Sequence, residues 1–365
     1  MRELAKIAKI QAIEPIKDKD RIELATVENY PVIVQKGEYK IGDLVVYVFY
    51  DTVLPQRKEF EFLRARCWSE LYQGFRIRNM SMAGVYSSGI IFPLSILPKE
   101  VKVKEGLEVS KVLEIRKYDP EEIAERQQGT PKKRPFGYKY LSKYRWYRKL
   151  FLRKKPAINY PHTVKKSDED NIEKVFGIMQ GLAKDHDFYI TEKMEGQAGT
   201  WMLQGKKRKY MVFSRNTNRP PNGDGTWERV GKQYGLERIL RKHKQNLAIQ
   251  GEICGPGIQG NIYEFDKLRL FVYKVTNTDT GEAMNYFWLN QFCKNHGLEM
   301  VPVVAVAQKL PDTYKEVIEQ ADGQSTHGGV LREGVVWRSM TDQNISFKAK
   351  SREYAGWFEG RNKTR

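Results

Sequence analysis

Residues 132–155 do most to constrain how this chain can be organised: they hold eleven Lys or Arg, seven aromatics and no acid. A stretch this dense in like charge marks a connector between two differently patterned parts, placed at 113–153. Its basic side chains can neutralise phosphates, and the interleaved Tyr, Trp and Phe offer faces on which bases stack. Arg145, Arg148 and Lys149 are the nucleic-acid-binding candidates within it. A short helical linker with a buried aromatic stripe and solvated cations accounts for the same composition. Both hold if one face packs while the other binds. The net charge of +18 points the same way, since a field of that sign attracts polyanions and speeds their encounter.

Before the connector, residues 1–112 have an all-β pattern. Ile22-Glu23-Leu24-Ala25-Thr26-Val27 alternates, residues 30–34 and 44–49 are β-branched or aromatic runs, and Lys36-Gly37 and Ile41-Gly42-Asp43 supply turns. Short strands in a module of this size suit a small OB-like barrel, an architecture that commonly binds oligonucleotides. After it, residues 154–365 mix periods. Ser167-Asp168-Glu169-Asp170 has the form of a helix start before Ile172, Val175, Phe176 and Met179 at helical spacing. Strands are expected at 187–194, 199–203, 210–214, 247–252, 268–275 and 334–338, and helices at 227–242, 285–296 and 313–320. The fold class is therefore α+β, an all-β barrel followed by a domain with an antiparallel-rich sheet.

No run of 18 apolar residues occurs, and Met1-Arg2-Glu3-Leu4 leads into mixed charge, so neither a membrane span nor a signal peptide is expected. Cys67, Cys254 and Cys293 are odd in number and scattered, which fits a reducing, cytoplasmic setting rather than a disulfide framework or a zinc site. The five histidines form no metal-ligand group.

The chemistry is concentrated in an ordered series. Lys193-Met194-Glu195-Gly196 follows an apolar strand-like run and sets one amine at the mouth of a pocket, with a glycine that lets a nucleotide approach the backbone. Then come Ser214-Arg215-Asn216, Gly251-Glu252-Ile253-Cys254-Gly255-Pro256-Gly257, Leu270-Phe271-Val272-Tyr273, Glu333-Gly334-Val335-Val336 and Phe347-Lys348-Ala349-Lys350. The stretch from Gly251 to Gly260 is not a Walker loop. Cys254 within it has no histidine companion in sequence and is expected to pack rather than react.

This series resembles the collinear motifs of the covalent nucleotidyltransferases, the superfamily of ATP-dependent polynucleotide ligases and RNA capping enzymes. It is most similar to RNA ligases, whose third motif takes the form Gly-Glu-x-x-Gly-Pro-Gly-x-Gln seen at 251–259. The likeness covers about 154–352, which would make 154–365 an adenylyltransferase domain. Residues 5–27 with Gly42-Asp43-Leu44-Val45-Val46-Tyr47 also look like the OB modules in front of certain RNA ligases.

The resemblance implies that Lys193 is the nucleophile, attacking the α-phosphorus of ATP to form a lysine–AMP bond. A free lysine has a pKa of about 10.4, so the site must favour the neutral amine. Lys348, Lys350 and a bound Mg2+ (or Mn2+) would do so and would then hold charge on the α-phosphate. Glu252 and Glu333 are the expected metal anchors. Glu192, Glu195, Gly196, Arg215 and Tyr273 complete the ATP-binding set, with Glu192 at the adenine edge, Glu195 and Glu252 around the ribose in partial exchange with the metal roles, Arg215 on nucleotide or nucleic-acid phosphate and Tyr273 stacked on adenine. Two positions depart from the family pattern. Lys274 stands where many relatives carry Asp, and Ala198 where some carry Asn.

The expected activity is an ATP-dependent RNA ligase, acting as a monomer without membrane contact on RNA or a nicked RNA-containing duplex. It would pass AMP from Lys193 to a 5′-phosphate and let a 3′-hydroxyl displace it. The fifteen residues after Lys350 leave no room for the C-terminal OB domain of DNA ligases and capping enzymes. A DNA ligase, or a noncatalytic RNA-binding protein built on the OB module and connector, are the alternatives.

Overall fold

The computed structural model describes residues 3–82, 85–118, 160–166, 169–215 and 217–363, in two compact units, Met1–Lys155 and Pro156–Arg365. The candidates Arg145, Arg148 and Lys149 lie outside the described residues. Among the described residues, no helix is long and apolar enough to cross a membrane.

The first unit is built from β1 (Ala5–Pro15), β2 (Ile22–Val27), β3 (Tyr30–Gln35), β4 (Leu44–Val48), β5 (Thr52–Leu54), β6 (Trp68–Ser69), β7 (Gly74–Ile77), β8 (Met80–Met82), β9 (Val85–Ser87), β10 (Ile90–Phe92) and β11 (Arg116–Lys117). Five strands pair in the order β10-β4-β1-β2-β3 and four in the order β11-β5-β7-β6. β1 serves two apolar clusters. Ala5 and Ile7 pack with Val46, Phe75 and Leu113, whereas Ala8 and Ile10 pack with Ala25, Val32 and Tyr47. Its register shifts between Ile10 and Ala12 as it passes along β2, the kind of irregularity that bends a strand and helps a sheet curl. Leu113 and Ile115 are buried in the core and β11 pairs with β5, so the packed module runs on through Lys117.

A short helix α1 (Arg64–Cys67) belongs to that unit. The second unit continues with α2 (Ile172–Leu182), β12 (Phe188–Glu192), β13 (Gln197–Gln204), β14 (Lys209–Ser214), β15 (Asn218–Arg219), α3 (Thr226–Gln233), α4 (Leu236–Lys242) and β16 (Leu247–Cys254). After these come β17 (Arg269–Asn277), α5 (Tyr286–His296), β18 (Glu299–Met300), β19 (Val303–Gln308), α6 (Tyr314–Glu319), β20 (Gly334–Ser339), β21 (Ser346–Lys350) and α7 (Arg352–Lys363). A four-stranded sheet has the order β19-β12-β20-β21 and a six-stranded sheet the order β15-β14-β13-β16-β17-β18. All pairs are antiparallel except β17 with β18.

Each sheet buries one apolar face against helices. Phe188, Trp337 and Phe347 of the first sheet pack on Ile172, Val175 and Met179 of α2 and on Val317 and Ile318 of α6. Trp201, Leu247, Ile249, Leu270 and Val272 of the second pack on Val230, Leu240, Leu289 and Phe292 of α3, α4 and α5. Burying side chains of this size contributes about 1.5–3 kcal/mol each, so these two faces fix where the strand ends lie.

Two helix expectations need correction. The helix expected over 227–242 is two helices, because Gly235 adopts φ +60 between them and a left-handed residue cannot continue an α-helix. The helix start assigned to 167–170 falls later: Asn171 precedes α2, and the Glu169 carboxylate instead pairs with Arg338.

Candidate active site

β12 ends at Glu192 in one sheet and β13 begins at Gln197 in the other, so residues 193–196 are where the chain crosses between sheets. The crossing is tied on both sides. The Lys193 N–H donates to the Gly334 carbonyl at 2.9 Å and the Glu192 N–H to that of Pro302 at 2.8 Å. The Glu195 N–H donates to the Tyr263 hydroxyl at 2.8 Å. Gly196 is required by close approach of β16. A Cβ there would lie 2.5 Å from the Ile253 carbonyl oxygen, 2.7 Å from Glu252 Cγ and 2.9 Å from Cys254 Sγ. The strand that presses on the glycine therefore carries Glu252 to the crossing.

Register brings the remaining strand ends to the same place. Val335 pairs with Glu192, and Gly334 pairs with Lys350, so Glu333 and Lys350 flank Lys193. Gly334 can be nothing else, since a Cβ would lie 2.2 Å from the Ala349 carbonyl oxygen. On β21, Phe347 and Ala349 are buried in the core, which puts Lys348 and Lys350 together on the opposite face.

Lys193 Nζ donates to Glu333 Oε2 in an ion pair. Burial pushes the Lys193 ammonium down, but Glu333 and Glu195 overrule it and leave its pKa raised, with Lys350 opposing them. Burial and repulsion from Glu333 push the Glu195 carboxyl well up, against the pull of Lys193. Burial also works against an ionised Glu333, yet Lys193 and Lys350 hold it below the usual carboxylate range. Glu195 and Glu333 lie close enough that each carboxylate bears on the charge of the other. The Tyr354 hydroxyl donates to Glu195 Oε2 at 3.3 Å.

The sequence expectation was an amine poised neutral by surrounding cations. The geometry instead pairs Lys193 with a carboxylate and crowds two acids beside it. Two crowded carboxylates form a donor set that suits a divalent cation, and an oxygen-only set suits Mg2+ or Mn2+. The residues present fit such an ion. Among the described residues no cluster of three or more potential ligands is present.

The other predicted residues lie on the adjoining strands and turns. The Glu192 carboxylate, 2% exposed, accepts from Ser325 Oγ at 2.5 Å and from the Thr326 N–H and Oγ1 at 3.1 Å each. Arg215 is half-buried directly after β14, where the pairing of Ser214 with Gly199 sets it beside the start of β13. Tyr273 is buried with Met194, Cys254, Phe271 and Tyr354, and the Arg338 guanidinium lies 5.6 Å from its ring centroid. Lys348 is held by its N–H on the Asp170 carbonyl at 2.9 Å, and its charge is felt at Glu169 and Glu173. Cys254 is buried, and burial with nearby Glu252 and Glu195 raises its thiol pKa, which keeps it unreactive.

Four contributors were not anticipated: Tyr263, Tyr354, Arg338 and the Ser325–Thr326 pair. Arg338 is buried on β20 with its Nη1 on Thr191 Oγ1 at 3.1 Å and its Nη2 on Glu169 Oε1 at 2.8 Å. Its position in Val335-Val336-Trp337-Arg338 was the available signal, a charge inside an apolar run. Lys274 is the second buried cation here, pushed down to about 8 by burial and by Arg338, with Glu169 opposing.

Both parts of the chain are similar to known proteins. Residues 4–94 match the family described as an OB-fold domain, and residues 186–350 match the family described as RNA ligase. Among solved structures, the chain is similar to Naegleria gruberi RNA ligase with PPi, at 22% identity, TM-score 0.80 and 100% coverage of both chains. It is likewise similar to a mutant of that ligase with ATP and Mn, at 23% identity and TM-score 0.79 over 97% of this chain and 98% of that one. A mutant with AMP and Mn matches at 22% identity and TM-score 0.79, with the same coverage. At these identities the structural likeness establishes the fold. A search of curated protein sequences finds no match.

Proposed function

We propose that this chain, whose residues 186–350 match the RNA ligase family, is an ATP-dependent ligase that joins RNA ends by way of an AMP carried on Lys193. The observation that carries the reading is the placement of Lys193 at the crossing between two sheets, against Glu333 and Glu195, with Lys350 alongside.

In the first step Lys193 Nζ forms a bond to the α-phosphorus of ATP, and the bond from that phosphorus to pyrophosphate breaks. Only the neutral amine attacks, so the proton that Glu333 stabilises on Nζ must leave first. Glu252 and Glu333 would hold a divalent cation, which would supply positive charge that offsets the phosphate and weakens the grip on that proton, so that it can pass to solvent. Lys350 and Lys348 hold charge that builds on the α-phosphate. Glu192 and Tyr273 position the adenine, Glu195 and Gly196 border the ribose, and Arg215 holds phosphate.

In the second step a 5′-phosphate oxygen takes the AMP, breaking the phosphorus–nitrogen bond and restoring Lys193. In the third, a 3′-hydroxyl attacks the activated 5′-phosphorus and AMP leaves. The substrate we favour is a nick in a duplex whose 3′-hydroxyl strand is RNA, handled by a monomer. The basic connector and the OB module support contact with a long polyanion.

The test is incubation with Mg2+ and ATP labelled at the α-phosphate, alongside Lys193→Ala, after stripping any AMP already present with pyrophosphate. Acid-labile label on the wild type and none on the variant is the expected result. Absence of label on the stripped wild type would overturn the reading. Nicked duplexes with RNA or DNA in the 3′-hydroxyl strand then separate RNA from DNA ligation, since the 2′-hydroxyl is the discriminator.

A further inference from the structure

Helix α7 begins at Arg352, just past Lys350, and its first turn is locked by two side chains. Ser351 donates its N–H to the Glu333 carbonyl at 3.0 Å, and its Oγ accepts the Tyr354 N–H at 2.9 Å. The Asp322 carboxylate takes the rest. Its Oδ1 accepts from Ser351 Oγ at 2.7 Å, from the Arg352 N–H at 2.9 Å and from the Glu353 N–H at 3.3 Å. The opening N–H groups of a helix have no partners inside it, and here those of Arg352, Glu353 and Tyr354 each find one. An acid at this end also suits the helix dipole. The turn that carries Tyr354 is therefore set by Asp322.

Asp322 belongs to the loop over residues 321–332, which runs into Glu333 and is braced at its neck. Arg332 Nε donates to the Ala321 carbonyl at 3.0 Å, and its Nη2 to those of Gln320, at 2.9 Å, and Asp322. The same loop reaches residues on both sides of Lys193. Ser325 and Thr326 hold Glu192, and a Cβ on Gly328 would lie 2.7 Å from the Tyr263 Cα. Tyr263 in turn holds the Glu195 N–H. Tyr354 holds the other end of that residue, its hydroxyl donating to Glu195 Oε2 at 3.3 Å. Both tyrosines are buried in one cluster with Met194. A carboxylate turns easily about its last torsion, so backbone anchoring alone would leave the Glu195 oxygens unaimed. The Tyr354 hydroxyl gives them a direction. At 3.3 Å the bond is long, as active-site hydrogen bonds often are before substrate arrives.

We propose that Asp322 and Tyr354 are positioning residues for the nucleotide: Asp322 sets the first turn of α7, and Tyr354 on that turn holds the Glu195 carboxylate in the pose that accepts a ribose hydroxyl. The proposal rests on the ligase reading, in which Glu195 borders the ribose. It makes the helix after Lys350 part of the ATP site.

The test measures Lys193 labelling against the concentration of α-labelled ATP and of its 2′-deoxy and 3′-deoxy analogues, in single turnovers of protein stripped of AMP by pyrophosphate. Wild type is expected to favour ATP over at least one analogue by about tenfold, the value of one hydrogen bond to a charged acceptor. Tyr354→Phe keeps the ring in its cluster. It should raise the half-saturating ATP concentration about tenfold, change the maximal rate less, and erase the preference. Asp322→Ala should erase it too, whereas Asp322→Asn, which keeps the Oδ1 acceptor, should preserve it. The proposal is overturned by wild type indifferent to both analogues, by a preference that survives Tyr354→Phe, or by Asp322→Asn behaving as Asp322→Ala. Should Asp322→Ala fail to fold, Tyr354→Phe decides by itself. The wild-type reaction with ATP separates the two readings. Label without ribose preference refutes the positioning alone, and no label refutes the ligase.

Discussion

The Arg338–Glu169 pair offers the sharpest test of how the site is held. Arg338 is 3% exposed. Its Nη2 lies 2.8 Å from Glu169 Oε1, and its Nη1 lies 3.1 Å from Thr191 Oγ1, on the strand that delivers Lys193. Burial alone would raise the Glu169 pKa, but Arg338, with Lys348 behind it, brings it below the usual carboxylate value. Arg338→Met strips this carboxylate of its partner while keeping the apolar stem, and should cost about 3–5 kcal/mol. That is a large part of the 5–15 kcal/mol available to a typical domain. Glu169→Gln leaves the cation buried in its place and should also destabilise. If the two side chains act as one unit, the double variant should cost about 2 kcal/mol less than the sum of the singles.

Urea unfolding of the four proteins at pH 7.5 completes the cycle. The pH dependence supplies a second check. Because the folded-state pKa of Glu169 is depressed, its stabilisation is present above the unfolded carboxyl pKa of about 4.3 and is lost as pH falls through the folded value. The Arg338→Met penalty should therefore shrink in acid. The Asp170 carbonyl, next to Glu169, holds the Lys348 N–H at 2.9 Å, so the rate of Lys193 labelling should fall in Arg338→Met as well. Additive penalties at pH 7.5, or a single-variant cost under about 1 kcal/mol, would show that this pair does not brace the site.

Gly196→Ala drives a Cβ to 2.5 Å from the Ile253 carbonyl; the clash should cost about 1–3 kcal/mol and slow Lys193 labelling about 100-fold by displacing the crossing. Normal labelling in that variant would mean β16 yields without moving Lys193. His243 and His296 face each other with their Nε2 atoms 3.0 Å apart, and both pKa values are lowered, by burial first, then by Arg208 for His243 and by His243 for His296. The unfolded chain then binds more protons, so this contribution is present above the unfolded histidine pKa of about 6.5 and is lost as pH falls through it. Tm should fall between pH 7.5 and 5.5, and His296→Gln should reduce that fall; an unaltered fall would assign it to other groups. Neutralising Arg145, Arg148 and Lys149 together should lower the slope of log binding constant against log salt by about 2–3, whereas an unchanged slope would make the connector a linker alone.

Much of the fold was legible because its local signals and its packing agree. The alternating run at 22–27 became β2, and the helix expected at 285–296 became α5, with Asn285 capping it through the Trp288 N–H at 2.9 Å. The exceptions have local causes. The β2–β3 hairpin turns on Glu28 and Asn29, both at positive φ, a turn that glycine usually announces. β19 was not anticipated, since Val303 and Val304 are exposed and only pairing with β12 makes that segment a strand. The break at Gly235 is a single left-handed residue within a continuous helical pattern.

The site was legible in its residue types and less so in their protonation. Sequence order brought Lys193, Glu195, Glu252, Glu333, Lys348 and Lys350 into view, and antiparallel register explains why residues so far apart share one strand end. Sequence could not say which neighbour reaches the amine, because that depends on side-chain direction. Lys348 and Lys350 share a face, yet Lys350 opposes the charge on Lys193, while Lys348 acts on Glu169. Nor could it foresee that the nearest group to Lys193 is an acid. The resting pair favours the protonated amine, so in the proposed reaction activation would come with the charge that arrives alongside ATP. A lysine guarded in this way would react where its substrate is and stay inert elsewhere.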